Sequence, residues 1–502
     1  TLSKDIKTNL EQIKKILDKS SDVVFREFVF DQNEEIRLAL IYIDGLADNN
    51  QLSDQIMRAL ALEVSMVTQH KEVTKAEALR FIKQRCLCIH QINETENLDE
   101  IIQAILSGDT ALLVDGHSTA IINGARGWEA RSITQPEIES TVRGPQESFV
   151  ESIRTNTSLL RRKIKSPNLK IENMFLGTVT DTNICLTYIE GIVEQKLVDE
   201  VKDRLGSIKI DGILESSYVE ELINDSPRSV FPTVNHTERP DKLAAMLLEG
   251  RVGIIVDGSP FALTVPNLFM EYFQAPDDYY LHPLYASFIR PIRFIDAFLS
   301  LVLPALYIGI VSFHQELLPT SLLMSVAAQR ETVPFPVLAE VLIMVLIFEV
   351  LREAGVRLPR PIGQAVSIVG ALVIGDAAVS AGLTAASTVI VIAFTGITSF
   401  IFHYSAANSF RILRFILMIL AGCLGLFGLT CGIAIIAIHL CTLRSFGVPY
   451  LSPLVPTTGI NLYDIFFRAP WWAMIYRPRL IARQNQKRQQ EGQMPKPQKN
   501  RE

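Results

Sequence analysis

The sequence has few cysteines, and their spacing argues against a disulfide-stapled secreted domain. There are six in 502 residues. Cys86 and Cys88 are too close together for an ordinary disulfide, and Cys423, Cys431 and Cys441 lie in or beside an apolar region. Because disulfide frameworks belong to oxidising compartments, this pattern predicts a reducing environment for the N-terminal half. Residues 1–20 form a charged amphipathic stretch rather than a signal peptide.

Motifs of common catalytic chemistry are also missing. The sequence has no GxxxxGK[ST] phosphate loop, no HExxH, no CxxC pair and no GxSxG elbow. Its eight histidines are scattered, with no pair at the spacing of a metal site. We therefore expect no catalytic residues, no metal and no cofactor, and an enzyme is the least favoured class.

Charged residues are scarce overall, but they are unevenly distributed. Only 20% of the residues are charged and the mean hydropathy is +0.24, which is too apolar for a purely soluble protein. The chain is charge-rich up to about Tyr280, largely apolar from Asp296 to about Leu443, and basic at its C-terminal end. Since the net charge is still −6, the N-terminal half is acidic, which argues against nucleic acid as a partner.

Two segments of the N-terminal half recur further along the chain. Residues 41–45 (IYIDG) resemble residues 187–191 (TYIEG), and residues 106–116 resemble residues 248–258. Similar offsets in the same order predict a duplicated α/β subdomain, in which each copy has the order strand, helix, helix, strand, strand and contains a mixed sheet.

An Asp-Gly pair follows a short apolar run in each copy, at Asp115 and at Asp257. Asp-Gly between apolar runs is typical of hairpin turns, because glycine accepts the backbone angles of a tight turn. The alternative is that the two aspartates are paired carboxylates or metal ligands, which the sequence favours less.

Basic residues end the helix predicted after the Gly144-Pro145 boundary. They favour the dipole at a helix C-terminus, so a solvated, capped helix end is the simpler interpretation. The alternative is a binding role, for which the candidate subunit contacts are Arg154, Arg161 and Arg162.

Five apolar stretches make up the C-terminal half, and they predict an all-α polytopic membrane domain. Three of them are uncharged or nearly so: residues 297–313, 383–402 and 415–443. A bilayer needs about 20 apolar residues per helix, so these three are the clearest spans. Residues 337–351 and 362–381 carry acidic residues.

Arginines indicate the orientation of these spans. Arg290 and Arg293 precede the first span, and arginines follow the second, which places the N-terminal half and the basic tail on the cytoplasmic side. Five crossings would put the two ends on opposite sides. We therefore predict four crossings plus one re-entrant or broken segment, at residues 362–381, which contains many small residues.

Acidic residues inside a membrane are costly and need a reason. The candidates for a pore or ion pathway are the acids of these stretches and two nearby hydroxyl residues: Glu340, Glu349, Asp376, Ser367 and Thr384. Glu340 and Glu349 are nine residues apart and point to opposite faces of a helix, so both are unlikely to face one pore. The alternatives are a structural ion pair with an arginine for Asp376, a position at the membrane interface near Arg352 for Glu349, and a structural role for Glu340.

Gly428 and Gly432 form a GxxxG pair in the last apolar stretch. This spacing lets helices approach closely, so the two glycines are candidate subunit contacts; packing within one chain is the alternative. Beyond this stretch, Pro470, Trp471 and Trp472 predict an interfacial segment with an aromatic anchor.

The predicted organisation has four parts. Residues 1–142 and 143–285 form the two cytoplasmic α/β subdomains, and residues 290–445 form the membrane domain. Residues 446–502 form an interfacial segment and a disordered basic tail.

One long motif, TVRGPQESFVESIRTNTSLLRRKIK at residues 141–165, closely resembles the signature of the A subunit of GerA-type spore germinant receptors. Shorter matches extend over nearly the whole chain from about Phe25. They are DGILE (211–215), FPT (231–233), ERP (238–240), EGRVG and VDGSP (249–260), PDDYY (276–280), and RE and PFP (330–336).

The resemblance implies a multi-pass protein of the spore inner membrane that works with a transporter-like, nutrient-sensing B subunit and a C subunit that is a lipoprotein. It also implies a homo-oligomeric ring of A subunits that passes cations. The leading hypothesis is thus a subunit of a nutrient-gated cation channel that triggers germination. The alternatives are a non-conducting signalling scaffold and, less favoured, a secondary transporter, for which no symmetric hydropathy is visible.

Overall fold

A computed structural model describes residues 2–30, 36–48, 51–58, 60, 75–83, 92–127, 135–136, 138–357, 370, 373–401, 404–457 and 464–496. The chain divides into two compact units. Unit 1 contains residues 1–225, 234–266 and 475–493, and unit 2 contains residues 226–233, 267–474 and 494–502. The predicted end of the second subdomain at residue 285 therefore lies within unit 2.

Unit 1 contains two successive sets of elements, which we call copy 1 and copy 2. Copy 1 has α1 (Ile6–Ile16), β1 (Val23–Val29), β2 (Arg37–Ile43), a π-helical turn (Gln51–Met57), α2 (Lys75–Phe81), β3 (Ile92–Thr95), α3 (Leu98–Leu106), β4 (Thr110–Val114) and β5 (Ala120–Asn123). Copy 2 repeats this order with α4 (Ile153–Lys163), β6 (Leu169–Leu176), β7 (Thr182–Ile189), α5 (Gln195–Ser207), α6 (Ser216–Ile223), β8 (Asn235–Thr237), α7 (Pro240–Leu248), β9 (Val252–Val256) and β10 (Ala262–Val265). The predicted boundary between residues 142 and 143 lies between β5 and α4.

The two sheets have the same strand order, β1-β2-β4-β5-β3 and β6-β7-β9-β10-β8. All the strand pairs described in these sheets are antiparallel. The mixed sheets expected from the sequence are therefore corrected to antiparallel ones, and a parallel component is seen in the single bridge Ser20–Ile171. The reason is local, because β1-β2 and β4-β5 are consecutive strands whose short connections turn the chain back on itself.

Central strands of both sheets are buried along their whole length, as in β4 and β9. In copy 1, α1 and α3 pack with Ile41 and Leu113 on one face, while Ile56 and Ala78 pack with the residues of the other face. A sheet that is covered on both faces needs continuous apolar runs rather than alternation, which is why the strands read as unbroken hydrophobic stretches.

A buried asparagine in the first helix of each copy makes the same hydrogen bonds. The Asn9 side chain accepts a hydrogen bond from Ser3 N at 2.8 Å and donates one to Ser3 O at 2.6 Å. Asn156, 147 residues later, makes this pair of bonds with Val150 at 2.8 and 2.6 Å. Both copies thus use the side-chain amide of a buried asparagine in the same way, which agrees with the repeat seen in the sequence.

The Asp-Gly pairs lie in hairpin turns, as the simpler interpretation expected. Gly116 and Gly258 have φ angles of +88° and +83°, which glycine adopts without strain. Asp115 lies 3.2 Å from Lys75 Nζ, and Asp257 accepts a hydrogen bond from Ile153 N at 3.1 Å, at the start of α4. The two aspartates thus serve separate structural contacts.

A buried ion pair joins the two copies. Arg161 on α4 and Asp22 before β1 have fully buried side chains, and the guanidinium donates to both carboxylate oxygens at 2.7 and 2.9 Å. Arg161 also donates to the carbonyl of Leu169 at 2.9 Å. Beside it, Arg154 lies 3.4 Å from Asp44. These contacts hold copy 1 against copy 2.

Unit 2 is mainly helical. In chain order it contains a 3₁₀ turn (Phe269–Phe273), α8 (Asp277–Tyr280), α9 (Pro283–Phe313), a 3₁₀ turn (Gln315–Leu317), α10 (Thr320–Arg330), α11 (Val337–Arg357), a π-helical turn (Val373–Ala377), α12 (Ala378–Ser380), α13 (Ala386–Thr398), α14 (Tyr404–Thr442), the short strands β11 (Arg444–Ser445) and β12 (Val448–Pro449), and a 3₁₀ turn (Trp471–Ala473).

The longest helix, α14, folds back on itself at Gly425, whose φ and ψ angles are +63° and −146°. A Cβ atom built on Gly428 would lie 2.3 Å from Leu420 O, and one on Gly432 would lie 2.5 Å from Leu417 Cδ2. In a straight helix these residues would be more than 10 Å apart. Two antiparallel arms, residues 404–424 and 426–442, therefore form a tight hairpin.

By length and composition, two described segments could cross a bilayer, Pro283–Phe313 and Ala406–Thr442; the second contains the turn at Gly425, so it consists of the two arms of the hairpin rather than one straight helix. The α13 helix is apolar but has only 13 residues, and α11 carries several charges. Half of residues 362–381, namely 362–369, 371 and 372, lies outside the described residues. The predicted four crossings with a re-entrant segment, and their sidedness, therefore stay predictions.

The predicted disordered tail is corrected in part. Residues 475–493 belong to unit 1, where Ile481 and Ala482 are buried. The basic composition predicts a solvated segment. Arg477 is nevertheless only 8% exposed, because its guanidinium donates hydrogen bonds to the carbonyls of Leu248 and Lys487.

We predict that Asp22→Ala destabilises unit 1 by about 3–5 kcal/mol, because it leaves the buried Arg161 charge uncompensated. The control is Glu27→Ala, which removes the exposed ion pair with Lys14 at 3.5 Å and should cost less than about 1 kcal/mol. Hydrogen exchange of the β2 and β7 amides in the full chain, measured against denaturant, gives both values. Equal effects of the two substitutions would contradict this role of the ion pair.

We predict that Gly425→Ala prevents the α14 hairpin from closing normally. Its backbone angles fall in a region that is almost restricted to glycine, at a cost of about 1–3 kcal/mol for other residues. A Cβ atom there would also lie 2.9 Å from His314 Cε1. Gly447 has φ +79° but open space around it, so Gly447→Ala is the control with backbone strain alone. The melting temperature in detergent should fall clearly further for Gly425→Ala; an equal fall would contradict the close packing.

Candidate functional site

The predicted site residues divide into acids of unit 2 and basic residues of unit 1, and Glu340 is at the centre of the first group. The α10 helix ends at Arg330, and the prolines at 334 and 336 separate it from α11, which begins at Val337. Glu340 lies in the first turn of α11, where a negative charge is favoured by the helix dipole.

The Glu340 carboxylate joins three helices. One oxygen accepts a hydrogen bond from Arg330 Nη1 at 2.8 Å. The other accepts hydrogen bonds from Thr384 Oγ1 at 2.9 Å and from Ala385 N at 2.8 Å, at the start of α13. The Glu340 side chain is fully buried.

This arrangement leaves the carboxylate with its charge and its hydrogen bonds satisfied inside the chain. A passing cation would have to displace Arg330 to reach it. The geometry therefore supports a structural role for Glu340 and Thr384, and their place in an ion pathway stays a prediction.

The second acid of α11, Glu349, is also paired. It accepts from Arg352 Nε at 2.7 Å, and Arg414 of α14 lies 3.9 Å away. Arg414 in turn donates to Ser300 O of α9 at 2.7 Å. Glu349 thus belongs to a contact among α9, α11 and α14, and it lies on the other side of α11 from Glu340, as the nine-residue spacing predicts.

Asp376 differs from the other two acids. It lies in the π-helical turn Val373–Ala377, is exposed, and makes no hydrogen bond or ion pair with any residue that the structure describes. Its neighbours Ala377 and Ser380 are exposed too. Ser367, the remaining pathway candidate, lies outside the described residues.

The candidate subunit contacts are occupied within the chain. Arg161 and Arg154 bind Asp22 and Asp44 of copy 1, and Arg162 donates to Glu147 at 3.0 Å. Gly428 and Gly432 pack against the other arm of the α14 hairpin. Of these five residues, Arg161 is fully buried within unit 1, and the role of the five in subunit contacts stays a prediction.

Sequence reasoning missed a buried charge cluster that links the two ends of unit 2. Arg290 of α9 donates to Asp278 at 3.1 Å and to Asp464 at 3.0 Å, while Arg293 donates to Asp278 at 2.8 Å. Tyr279 donates to Asp464 at 2.7 Å. The signals for it in the sequence are the acidic PDDYY motif at residues 276–280 and Arg290, which also indicates the orientation of the first span.

Burial governs the electrostatics of this cluster. It raises the pKa of Asp464, and the nearby Arg290 guanidinium opposes that rise. Within the described parts of the chain, no group of three or more His, Cys, Asp or Glu side chains could hold a metal ion. The cluster therefore links residues 277–293 to residue 464, with two arginines balancing two aspartates.

The sequence matches the family model described as "Bacillus/Clostridium GerA spore germination protein" over residues 11–480. It is 45% identical to "Spore germination protein KA" of Bacillus subtilis (strain 168), across 99% of this chain and 90% of that protein. It is 42% identical to "Uncharacterized membrane protein YfkQ" of the same organism, across 99% of this chain and 96% of that protein.

A solved structure is similar in sequence to the N-terminal part. It is the "Crystal structure of the N-terminal domain of the A subunit of the Bacillus megaterium spore germinant receptor GerK3", with 36% identity and a TM-score of 0.43. The match covers 54% of this chain and 97% of that one.

We predict that Glu340→Gln destabilises unit 2 by about 3 kcal/mol, because it removes the charge opposite the largely buried Arg330 and turns an amide donor towards it. Asp376→Asn is the matched control and should leave the melting temperature in detergent unchanged, since the structure describes no partner for Asp376. If Glu340→Gln melts like the wild type, the structural role of Glu340 is contradicted.

Proposed function

Because this chain belongs to the GerA family of Bacillus/Clostridium spore germination proteins, we propose that it is the A-type subunit of a nutrient germinant receptor that triggers endospore germination. The family match spans residues 11–480, and the relative named spore germination protein KA aligns over 99% of the chain. Agreement over this length, rather than over one domain, supports the same role for the whole protein.

The receptor subunit would lie in the spore inner membrane as a multi-pass protein, with unit 1 and the C-terminal tail on the cytoplasmic side. Supporting observations are the two long apolar segments and the outward-facing apolar side chains of the α14 hairpin. Ile412, Ile416 and Ile419 follow one face of its first arm and are each about half exposed. Such a surface suits lipid rather than water.

Its partners would be those of the family, a transporter-like B subunit that senses the nutrient and a lipoprotein C subunit, together with the bilayer. The net charge of −6 argues against nucleic acid as a partner. Family resemblance is the support for these partners.

We further propose that several A subunits form a closed ring that conducts cations, and Asp376 is the observation that carries this proposal. The other two acids of the predicted pathway are paired inside the chain, whereas Asp376 is exposed on a segment of small residues. An exposed carboxylate in a membrane domain needs water or another polar chain beside it. A ring would bring copies of Asp376 round a common axis, and rings of acidic side chains favour cations.

This proposal is tested with complete receptor reconstituted in liposomes, where nutrient should start a cation flux. We predict that Asp376→Asn lowers the ratio of cation to anion flux by about 5- to 10-fold, which corresponds to about 1–1.4 kcal/mol of lost attraction. Glu353→Gln is the control, because Glu353 is an exposed acid of the same unit paired with Arg357 at 2.7 Å.

The outcomes separate the alternatives. Verified, assembled wild-type receptor that conducts nothing would contradict the channel and favour the non-conducting scaffold. Conduction with the same selectivity in Asp376→Asn and the wild type would remove Asp376 from the pathway.

A further inference from the structure

The two copies of unit 1 differ in which segment covers one surface, the edge formed by the glycine after α3 or α7 and a residue that follows β2 or β7. In copy 1 the edge contains Gly108 and the carbonyl of Leu46. A Cβ atom built on Gly108 would lie 3.3 Å from Leu46 O and 3.6 Å from Arg126 Cγ. Gly127 N donates to Leu46 O at 3.0 Å. The cover of copy 1 is therefore the chain that directly follows β5.

Copy 2 has the same edge, with Gly250 and Ile192 at the equivalent positions. A Cβ atom built on Gly250 would lie 3.2 Å from Ile192 O and 3.2 Å from Ala482 Cβ. The chain that follows β10 cannot provide this cover, because it continues into unit 2 at Asn267. Residues 475–493, which we call the C-terminal strap, cover the edge instead.

The strap is held mainly by arginines. Arg477 donates from Nε to Leu248 O at 2.7 Å, at the C-terminal end of α7. Arg488 donates to Glu249 at 2.8 Å. A helix C-terminus attracts positive charge, and Glu249 adds a negative one, so this end of α7 is suited to an extended basic segment.

Within the strap, two backbone hydrogen bonds form a small loop. Arg477 N donates to Gln486 O and Arg488 N donates to Ile475 O, both at 2.7 Å. Few side chains of the strap are buried: the apolar ones are Ile481 and Ala482, beside Arg477, while residues 483–487 are exposed. Such a small apolar contact suits a segment that can detach without unfolding copy 2.

The chain runs directly from unit 2 into the strap, so a movement of unit 2 can be transmitted to copy 2. The chain passes between the units after residues 225, 233, 266, 474 and 493, and each of these positions lies within copy 2 or after it. The strap begins at Ile475, directly after residues 267–474 of unit 2. A displacement of the last part of unit 2 would therefore pull directly on the contact between the strap and α7.

We propose that the end of α7 in copy 2 is a binding site for an extended basic segment, and that the C-terminal strap is its releasable occupant, which couples unit 2 to copy 2 during the nutrient response. The binding site stands on the contacts above, whereas the coupling rests on the proposed receptor function.

The first test measures the strap in the full chain, in detergent, by hydrogen exchange of residues 475–488. Arg477→Ala should increase the exchange rate of the strap by about tenfold or more, because it removes charge-assisted hydrogen bonds. Arg479→Ala is the matched control, since Arg479 is exposed and no partner is described for it. Unchanged exchange in Arg477→Ala would overturn the binding site.

The second test exchanges the charges of one contact. Glu249→Arg and Arg488→Glu should each speed exchange of the strap, and the combination of both should restore it in part, because Arg251, 3.4 Å from Glu249, loses its contact with that carboxylate. The same three receptors are then compared for nutrient-triggered flux in liposomes or germination of spores. The single substitutions should weaken the response several-fold, and the combined one should recover it.

The outcomes distinguish the two proposals. If the combined variant recovers neither slow exchange of the strap nor the nutrient response, the pairing of Glu249 with Arg488 is overturned. If the single variants respond normally to nutrient although their strap is detached, the coupling of unit 2 to copy 2 is overturned. A wild-type receptor without any nutrient response would instead contradict the proposed function, while the exchange rates would still decide whether the strap occupies this site.

Discussion

A charged side chain that leaves water is stable only if an opposite charge and hydrogen bonds replace its hydration, and this constraint organises both units. In unit 1 the Asp22–Arg161 pair fixes copy 1 against copy 2. In unit 2 Glu340 and Arg330 hold the starts of α11 and α13 against the end of α10, and Arg290 connects the ends of the unit through Asp278 and Asp464. Apolar packing fills the space around each pair without selecting the partner.

The same constraint makes the acids of unit 2 unequal. Glu340 and Glu349 have partners within the chain, so they can maintain the fold but are poorly placed to attract a moving ion. Asp376 is exposed among small residues. An acid in that setting needs water or a neighbouring subunit, and both are supplied by the oligomeric cation pathway that we propose for this member of the GerA family.

Sequence patterns predicted the features that depend on neighbouring residues. The repeat, the Asp-Gly turns and the apolar strands all rest on short motifs, and each is found in the structure. The patterns could not predict contacts between distant residues. Asp22 and Arg161 are 139 positions apart, and neither residue type indicates its partner. Likewise, nothing local marks Gly425 as the bend of a hairpin within an apolar run, and the basic tail gave no sign that Arg477 would cap a helix 229 positions earlier.

We propose that this chain acts in a ring of identical subunits, so its oligomeric state in a bilayer is the most direct test. Native mass spectrometry of the full-length chain in lipid nanodiscs, combined with particle imaging, measures both the number of subunits and their symmetry. The account predicts a closed oligomer with one rotation axis and residue 376 of each subunit near that axis. A chain that is stably monomeric in lipid, alone and with its partner subunits, would contradict it.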